Sequence, residues 1–366
     1  MRRSTPVSQS EIVRETGFMP STVFRLFRSL EEKDFIVETD AVAPSAERKG
    51  RRPKYYRVNP TCAYVIGIDL SSNGAALLLS DFTGGVVEHS GVSLVDTHNG
   101  QDVASHLAEQ IEKMLNQNGI EADLLLGIGI GAPGIVDIAR GSVVRYARFP
   151  GMQNFPFREY LKKRFHVPVE LHNNTSVIAL AEYRYGRAVG EDSLVAVLVR
   201  QGVGGAYIQN GNVFVSQNRT AFEIGHISLE LTQKNGAADE VLEDCLSEEA
   251  IFHAVAQAVP DVKNWEMLAE RLQARDPAVE SALDAPAEIL VRAVFNVCLL
   301  LNPEALLLIS RFQPLSRFLA RKVEARMLSD RCPDGVSLRK VIALQYDGLI
   351  ACRGAADLAF DHYFYG

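Results

Sequence analysis

Long apolar runs are missing from this 366-residue sequence, and with them any candidate bilayer span. Stretches such as Ala75–Leu79 and Cys298–Leu301 fall far below the roughly 20 residues that a transmembrane helix needs. Cysteine is scarce as well. Cys62, Cys245, Cys298, Cys332 and Cys352 are scattered, odd in number and never spaced as CxxC. That argues against a disulfide framework and for a reducing, cytoplasmic setting. Behind Arg2 and Arg3 there is no apolar core of a signal peptide. Tandem repeats at solenoid spacing and low-complexity tracts are absent too. What is present is a globular composition, 47% hydrophobic and 23% charged, in a chain long enough for two or three domains.

The net charge of −7 conceals an asymmetry. Residues 1–60 carry 12 Lys/Arg against 8 Asp/Glu, while the remainder carries 26 against 37. A small basic head on a large acidic body suits contact with nucleic acid at one end. The head's pattern agrees. Residues 8–16 read as a short helix with Ile12 and Val13 inward, stopped by Gly17, which is placed for the positive φ of a turn between crossed helices. Pro20 and Ser21 open a second helix, in which Val23, Leu26, Phe27 and Leu30 recur at core spacing. Its other face shows Ser21, Thr22, Arg25 and Arg28, hydroxyls and guanidiniums suited to bases and phosphates. Strands at 35–38 and 54–58 then form a wing, with Arg51 and Arg52 in a basic tip suited to a narrow minor groove. These features predict a winged helix-turn-helix that binds double-stranded DNA. Such domains ordinarily carry a further helix ahead of the pair; seven residues precede Ser8 here.

Pro60 marks a change of character. Residues 63–69, 75–80 and 85–89 read as strand, turn, strand, turn, strand, the opening of an actin-like lobe. Residues 124–130 form another strand, ending in Gly131-Ala-Pro-Gly134. Residues 167–174 run as a strand into a helix over 175–185, and 194–199 with 204–209 form a hairpin turned at Asn210-Gly211. With Gly50-Arg-Arg-Pro53, residues 172–182 (HNNTSVIALAE), Phe222-Glu-Ile-Gly-His226, residues 242–247 (LEDCLS) and Leu301-Asn-Pro-Glu304, the chain resembles the ROK (repressor, open reading frame, kinase) family along almost its whole length.

The resemblance implies an α/β fold: an N-terminal winged helix-turn-helix (1–60), then a two-lobed actin-like ATPase (ribonuclease H-like) sugar-kinase fold. Its first lobe would comprise 61–185 plus 346–366 and its second 186–345, with a sugar pocket between them. Matched position by position, Asn173, Asn174, Glu223, His226 and Glu243 are the implied sugar-binding residues. Carboxylate, amide and imidazole groups suit a vicinal diol.

The catalytic positions depart from the family. Where its kinases carry Glu-Asn-Asp-Ala-Asn, with the aspartate as general base, this chain has Asn174, an amide that cannot accept the proton. The first phosphate loop, Asp-x-Gly-Gly-Thr in kinases, is Asp69-Leu-Ser-Ser-Asn73, and the second begins at Arg200. Side chains therefore stand where glycines admit a phosphate. Ile309-Ser-Arg-Phe312 replaces a Gly-Gly pair at the purine site. Lys234, Gly236 and Val241 occupy the positions of the family's three zinc cysteines, so no metal is expected, and no cofactor is implied.

The expected function is that of a sugar-responsive transcriptional regulator, a repressor by preference, without kinase activity. Its partners would be DNA, a sugar or sugar derivative, and further copies of itself in a homodimer or higher homo-oligomer, with no membrane. Three alternatives remain: an active sugar kinase with a DNA-binding appendage, a DNA-binding protein that senses no ligand, and a regulator whose cleft, with His172 and Ser176 in place of the family's Glu and Asn, takes a different ligand. Among secondary features, residues 239–249 read as a solvated helix start and 287–301 as a core or subunit-interface helix. The resemblance implies that residues 349–365 form a helix returning to the first lobe, and Tyr363, Phe364 and Tyr365 are expected to pack in the core rather than cap a partner.

Overall fold

The computed structural model describes residues 5–40, 53–146, 148–216, 222–228, 241–328, 336 and 338–365. The head consists of β1 (Val7–Ser8), α1 (Gln9–Thr16), α2 (Pro20–Glu32), β2 (Ile36–Thr39) and β3 (Tyr55–Val58). Ser8 starts α1 with a capping box: its Oγ accepts from the Glu11 N–H, and Glu11 Oε2 accepts from the Ser8 N–H at 2.7 Å. Gly17 ends the helix at φ 70°, the left-handed conformation that the turn requires. β1, β3 and β2 form a three-stranded antiparallel sheet, so the wing hairpin gains a third strand from the residues ahead of α1.

The core of the head is narrower than the helical period suggested. Val23, Phe27 and Tyr56 are buried, with Phe27 and Tyr56 in edge-to-face contact at 5.1 Å. Leu26 and Leu30 were expected inside but are 48% and 39% exposed. Val7, Ile12, Val13 and Ile36 pack against the Val23–Phe27 side of α2. No described element covers the adjoining stripe.

In the first lobe the elements are β4 (Tyr64–Leu70), β5 (Gly74–Asp81), β6 (Val86–Ser93), α3 (Gly100–Gln117), β7 (Leu125–Ala132), β8 (Ile135–Asp137), β9 (Ser142–Arg145), α4 (Phe157–Phe165), β10 (Val169–Asn173) and α5 (Asn174–Tyr185). Its sheet has the order β10-β7-β4-β5-β6, an antiparallel meander extended by two parallel strands. β4 is buried at every residue, as a central strand covered on both faces must be.

The second lobe repeats the plan with β11 (Ser193–Val199), β12 (Val203–Gln209), β13 (Asn212–Val213), α6 (Leu242–Leu246), α7 (Glu248–Ala258), α8 (Trp265–Gln273), α9 (Pro277–Ala282), α10 (Asp284–Leu301), β14 (Ala305–Ser310), α11 (Gln313–Met327) and β15 (Lys340–Gln345). Its sheet order is β13-β12-β11-β14-β15. The last helix, α12 (Gly348–Tyr365), returns to pack on β4, β7 and α5. Glycines make that approach possible. A Cβ at Gly67 would lie 1.9 Å from the Cys352 carbonyl oxygen, and one at Gly129 would lie 1.7 Å from that of Ala355. The two lobes make an actin-like ATPase fold, and the head is a winged helix-turn-helix.

Two secondary expectations need correction. The acidic stretch is not a solvated helix start throughout, because Leu242, Leu246 and Glu248 are buried. Within the terminal aromatic run, Tyr363 and Phe364 are about half exposed rather than enclosed. Phe364 instead joins a partly open cluster with Phe360 and Phe82, which Phe35 of the head completes from the other side. α10 starts at Asp284, and its end carries Leu300 into solvent at 83% exposure. Among the described residues no helix is long and apolar enough to cross a membrane.

Candidate functional site

The turn after β7 sets the cleft. Gly134, at φ 74°, tucks under the carbonyl of Arg145, where any Cβ would come within 2.3 Å. This folds the β8–β9 hairpin over the ends of the central strands. From the other lobe, the β11–β12 turn (Arg200-Gln-Gly) approaches from the opposite side. Between them lies a cavity of about 150 Å³ with walls from both lobes. Asn173, Asn174, Glu223, His226 and Glu243, far apart in sequence, all line it.

Part of this set also serves the scaffold. Asn173 caps α5, its Oδ1 accepting from the Thr175 N–H at 2.8 Å while its Nδ2 donates to the Gly134 carbonyl at 3.1 Å. Glu243 Oε2 accepts the Val203 N–H at 2.9 Å and so fastens α6 to the β11–β12 turn. Gly202 leaves room for it: a Cβ at that position would lie 2.5 Å from the carboxylate and push it off the Val203 amide. Asn174 opens α5 on the cleft wall, whereas Glu223 and His226 flank a short 3-10 turn and are solvent-exposed. The surrounding walls push the Glu223 carboxyl above its ordinary range; His226 opposes the rise and Glu243 adds to it.

The cleft floor is filled by a buried polar cluster. The Arg200 guanidinium lies 3.8 Å from Asp69 and 4.0 Å over the ring of Tyr346, whose hydroxyl donates to Asp69. Burial pushes the Asp69 carboxyl up to about 6, against the pull of Arg200 and the Tyr346 hydrogen bond. Its second oxygen has no hydrogen-bond partner among the described residues. Beside the cluster, Gln201 is gripped from the opposite lobe. Ser72 and Tyr146 donate to its Oε1 at 2.8 and 3.0 Å, and Arg148 donates twice to its carbonyl, at 3.0 and 2.6 Å. At the turn from β14 into α11, Phe312 stacks on Trp265 with ring centroids 5.1 Å apart and planes within 4°.

Arg145, Tyr146, Arg148 and Gln201 were not singled out from the sequence, yet all four line the cavity. The available signal was two arginines three residues apart, just beyond the hairpin opened by Gly131-Ala-Pro-Gly134. Among the described residues, no group of three or more His, Cys, Asp or Glu side chains is placed to hold a metal ion. Of the three positions matched to the family's zinc cysteines, Lys234 and Gly236 lie outside the described residues.

On the head, Ser21, Arg25 and Arg28 are exposed along α2 and Thr22 is half-buried. Arg28 is held by Glu32 one turn on, at 2.8 Å. Arg51 and Arg52 lie outside the described residues.

Comparison with known proteins gives concordant results. The chain is 26% identical over 255 residues to the xylose repressor of Caldicellulosiruptor bescii, a match spanning 69% of this chain and 63% of the relative. It is 27% identical over 225 residues to the DNA-binding transcriptional dual regulator NagC of Escherichia coli, spanning 62% of this chain and 54% of the relative. The matches thus cover somewhat over half the length of these curated relatives. Among solved structures, a ROK family transcriptional regulator described as a homologue of E. coli Mlc superposes with a TM-score of 0.79 at 19% identity, covering 98% of this chain and 93% of that one. The ROK family profile matches residues 65–362, well over half the sequence, and the chain belongs to the ROK family.

Proposed function

We propose that the chain is a sugar-responsive transcriptional regulator, a repressor by preference, which binds DNA through its winged head and a sugar or sugar derivative in the interlobe cleft. One observation carries this reading. Five polar side chains from both lobes line a single cavity, on a body that bears a DNA-binding type of head. At about 150 Å³ the cavity is below the roughly 300–1,000 Å³ typical of drug-sized ligands and suits a single monosaccharide. The relatives named above, one a xylose repressor and one a DNA-binding transcriptional dual regulator, support the same reading.

In this proposal the domains run 1–60 for the head, 61–185 plus 346–366 for the first lobe and 186–345 for the second. The sugar-binding set is Asn173, Asn174, Glu223, His226 and Glu243, and the DNA-binding set is Ser21, Thr22, Arg25, Arg28, Arg51 and Arg52. Phosphotransfer is not part of the function. Asn174 offers no base, Arg200 occupies the phosphate approach beside Asp69, and the Phe312–Trp265 stack takes up the turn where a purine would need backbone contact.

Mechanistically, the ligand bridges the lobes and shifts the population toward closure. α12 has both ends in the relevant places. Tyr346, just ahead of it, sits in the cleft cluster, and Phe360 and Phe364 near its far end touch the Phe82–Phe35 contact with the head. In a dimer, movement of the heads would alter their fit to half-sites about one DNA turn apart.

The test is selection of bound sequences from the promoter DNA of the protein's own locus, followed by gel-shift titration with and without sugars. Specific binding released or strengthened by a sugar is expected. Failure to bind any fragment at moderate salt would overturn the regulator reading, and sugar-insensitive binding would favour a DNA-binding protein that senses nothing.

A further inference from the structure

The β11–β12 turn is tied down on its own lobe before it reaches the other. The Arg200 N–H donates to the Gly202 carbonyl at 2.9 Å, and the Arg200 carbonyl accepts the Glu248 N–H at 2.7 Å. With the Glu243 carboxylate on the Val203 N–H, these bonds present Gln201 at the tip of a braced loop. The first-lobe groups that meet it are anchored too. Ser72 sits in the β4–β5 turn, where the Ser71 N–H and hydroxyl both donate to the Gly74 carbonyl. Tyr146 and Arg148 lie just past the end of β9.

The bonds across the seam leave Gln201 half used. Its Oε1 accepts from Ser72 and Tyr146, and its main-chain carbonyl accepts from Arg148. An amide oxygen has two lone pairs, so those two hydroxyls saturate Oε1. Nε2 carries two N–H donors and has no partner among the described residues, although Gln201 lines the cavity. A ligand filling about 150 Å³ displaces the water around that nitrogen, and a donor stripped of water without an acceptor costs affinity.

We propose that Gln201 is a positioning and specificity residue of the cleft. Its oxygen clasps the two lobes together, and its amide nitrogen donates to an acceptor oxygen of the ligand. Every donor and acceptor of the clasp belongs to the chain, so it favours the closed lobes whatever the ligand. A ligand that engages Nε2 orients the same amide that holds Ser72 and Tyr146, which couples occupancy to closure. The donor half rests on the cleft being the sugar site; the clasp half does not.

Two near-isosteric variants of the full chain separate these tasks. Gln201→Met removes acceptor and donor, whereas Gln201→Glu keeps an acceptor for Ser72 and Tyr146 and loses the donor. Small-angle X-ray scattering without sugar reads the clasp, with circular dichroism reporting an intact fold. The radius of gyration is expected to rise in Gln201→Met and to keep the parental value in Gln201→Glu. No expansion in Gln201→Met, or an equal one in Gln201→Glu, would overturn the clasp. Calorimetric titration with glucose, galactose, xylose and N-acetylglucosamine reads the donor. For a probe that binds the parent, Gln201→Glu is expected to weaken affinity about tenfold with the lobes still closed. Unchanged affinity would overturn the donor assignment and leave the sugar cleft standing. Silence from all four probes with the parent would overturn the donor assignment together with the sugar-cleft reading beneath it, while scattering would still decide the clasp.

Discussion

Asp69 shows how burial and two facing groups set the charge of a single carboxyl on the cleft floor. Fully enclosed, with Arg200 and the Tyr346 hydroxyl as its facing groups, its carboxyl is raised to about 6. A raised carboxyl pKa means that the folded state binds the proton more tightly than the unfolded chain. Its contribution therefore favours folding at low pH and is lost as pH climbs from about 4 toward 6. Asp69→Asn removes this dependence. Denaturant unfolding at pH 4.5 and 7.5 should show the variant gaining about 2 kcal/mol relative to the parent at the higher pH; a difference that does not change with pH would refute the argument. A second residue-scale prediction concerns Asn174. Restoring a base by Asn174→Asp should not produce ATP-dependent phosphorylation of glucose in a coupled assay, because the Arg200 side chain and the Phe312–Trp265 stack are untouched. Measurable turnover would show that the amide alone had silenced the site.

At the scale of elements, α12 is the piece on which the body depends most closely. It lies so near the first sheet that the glycines of β4 and β7 meet its backbone carbonyls directly. Gly129→Ala drives a methyl group into the Ala355 oxygen, and neither backbone can yield without displacing the helix. The expected loss is about 3 kcal/mol or more, read as a lowered chemical midpoint. An unchanged midpoint would mean that the helix is seated less tightly. In the sequence these glycines are placed only as strand residues, within 63–69 and 124–130, since nothing local says that a helix more than 200 residues later will rest on them. The same limit applies at the site. Asn173, Asn174, Glu223, His226 and Glu243 were found because each sits in a short matched motif. Arg145 and Arg148 belong to no such motif, and only the folding of the β8–β9 hairpin over the cleft gives them a place. In the head, Gly17 followed from turn chemistry, while Leu26 and Leu30 followed the helical period into an expected core that the described elements do not build.

At the scale of the whole molecule, charge and mechanical connection bear on the same event. In the proposed function the head's surplus of four positive charges, set against −11 on the body, confines attraction to DNA to one end, and binding should fade steeply with salt. Arg25→Ala, on the exposed side of α2, should weaken binding and lower the salt slope by about one if that arginine meets a phosphate; an unaltered slope would remove Arg25 from the interface. Whether the ligand can govern that binding depends on how the head is joined to the body. Phe35, just ahead of β2, meets Phe82 in a tilted contact at 5.6 Å between ring centroids, and Phe82 in turn meets Phe360 and Phe364 of α12. An 18-residue helix spans about 27 Å, enough to carry a tilt from the cleft cluster at one end to this contact at the other. Phe35→Ala removes the head's half of the contact and leaves both binding surfaces in place. Its effect should therefore fall on coupling. Ligand titrations and operator titrations done separately should stay near their parental values, while the ligand-induced change in operator affinity, ordinarily about 5–150-fold for coupled sites, collapses toward one. Full coupling in the variant would place the transmission elsewhere than along α12.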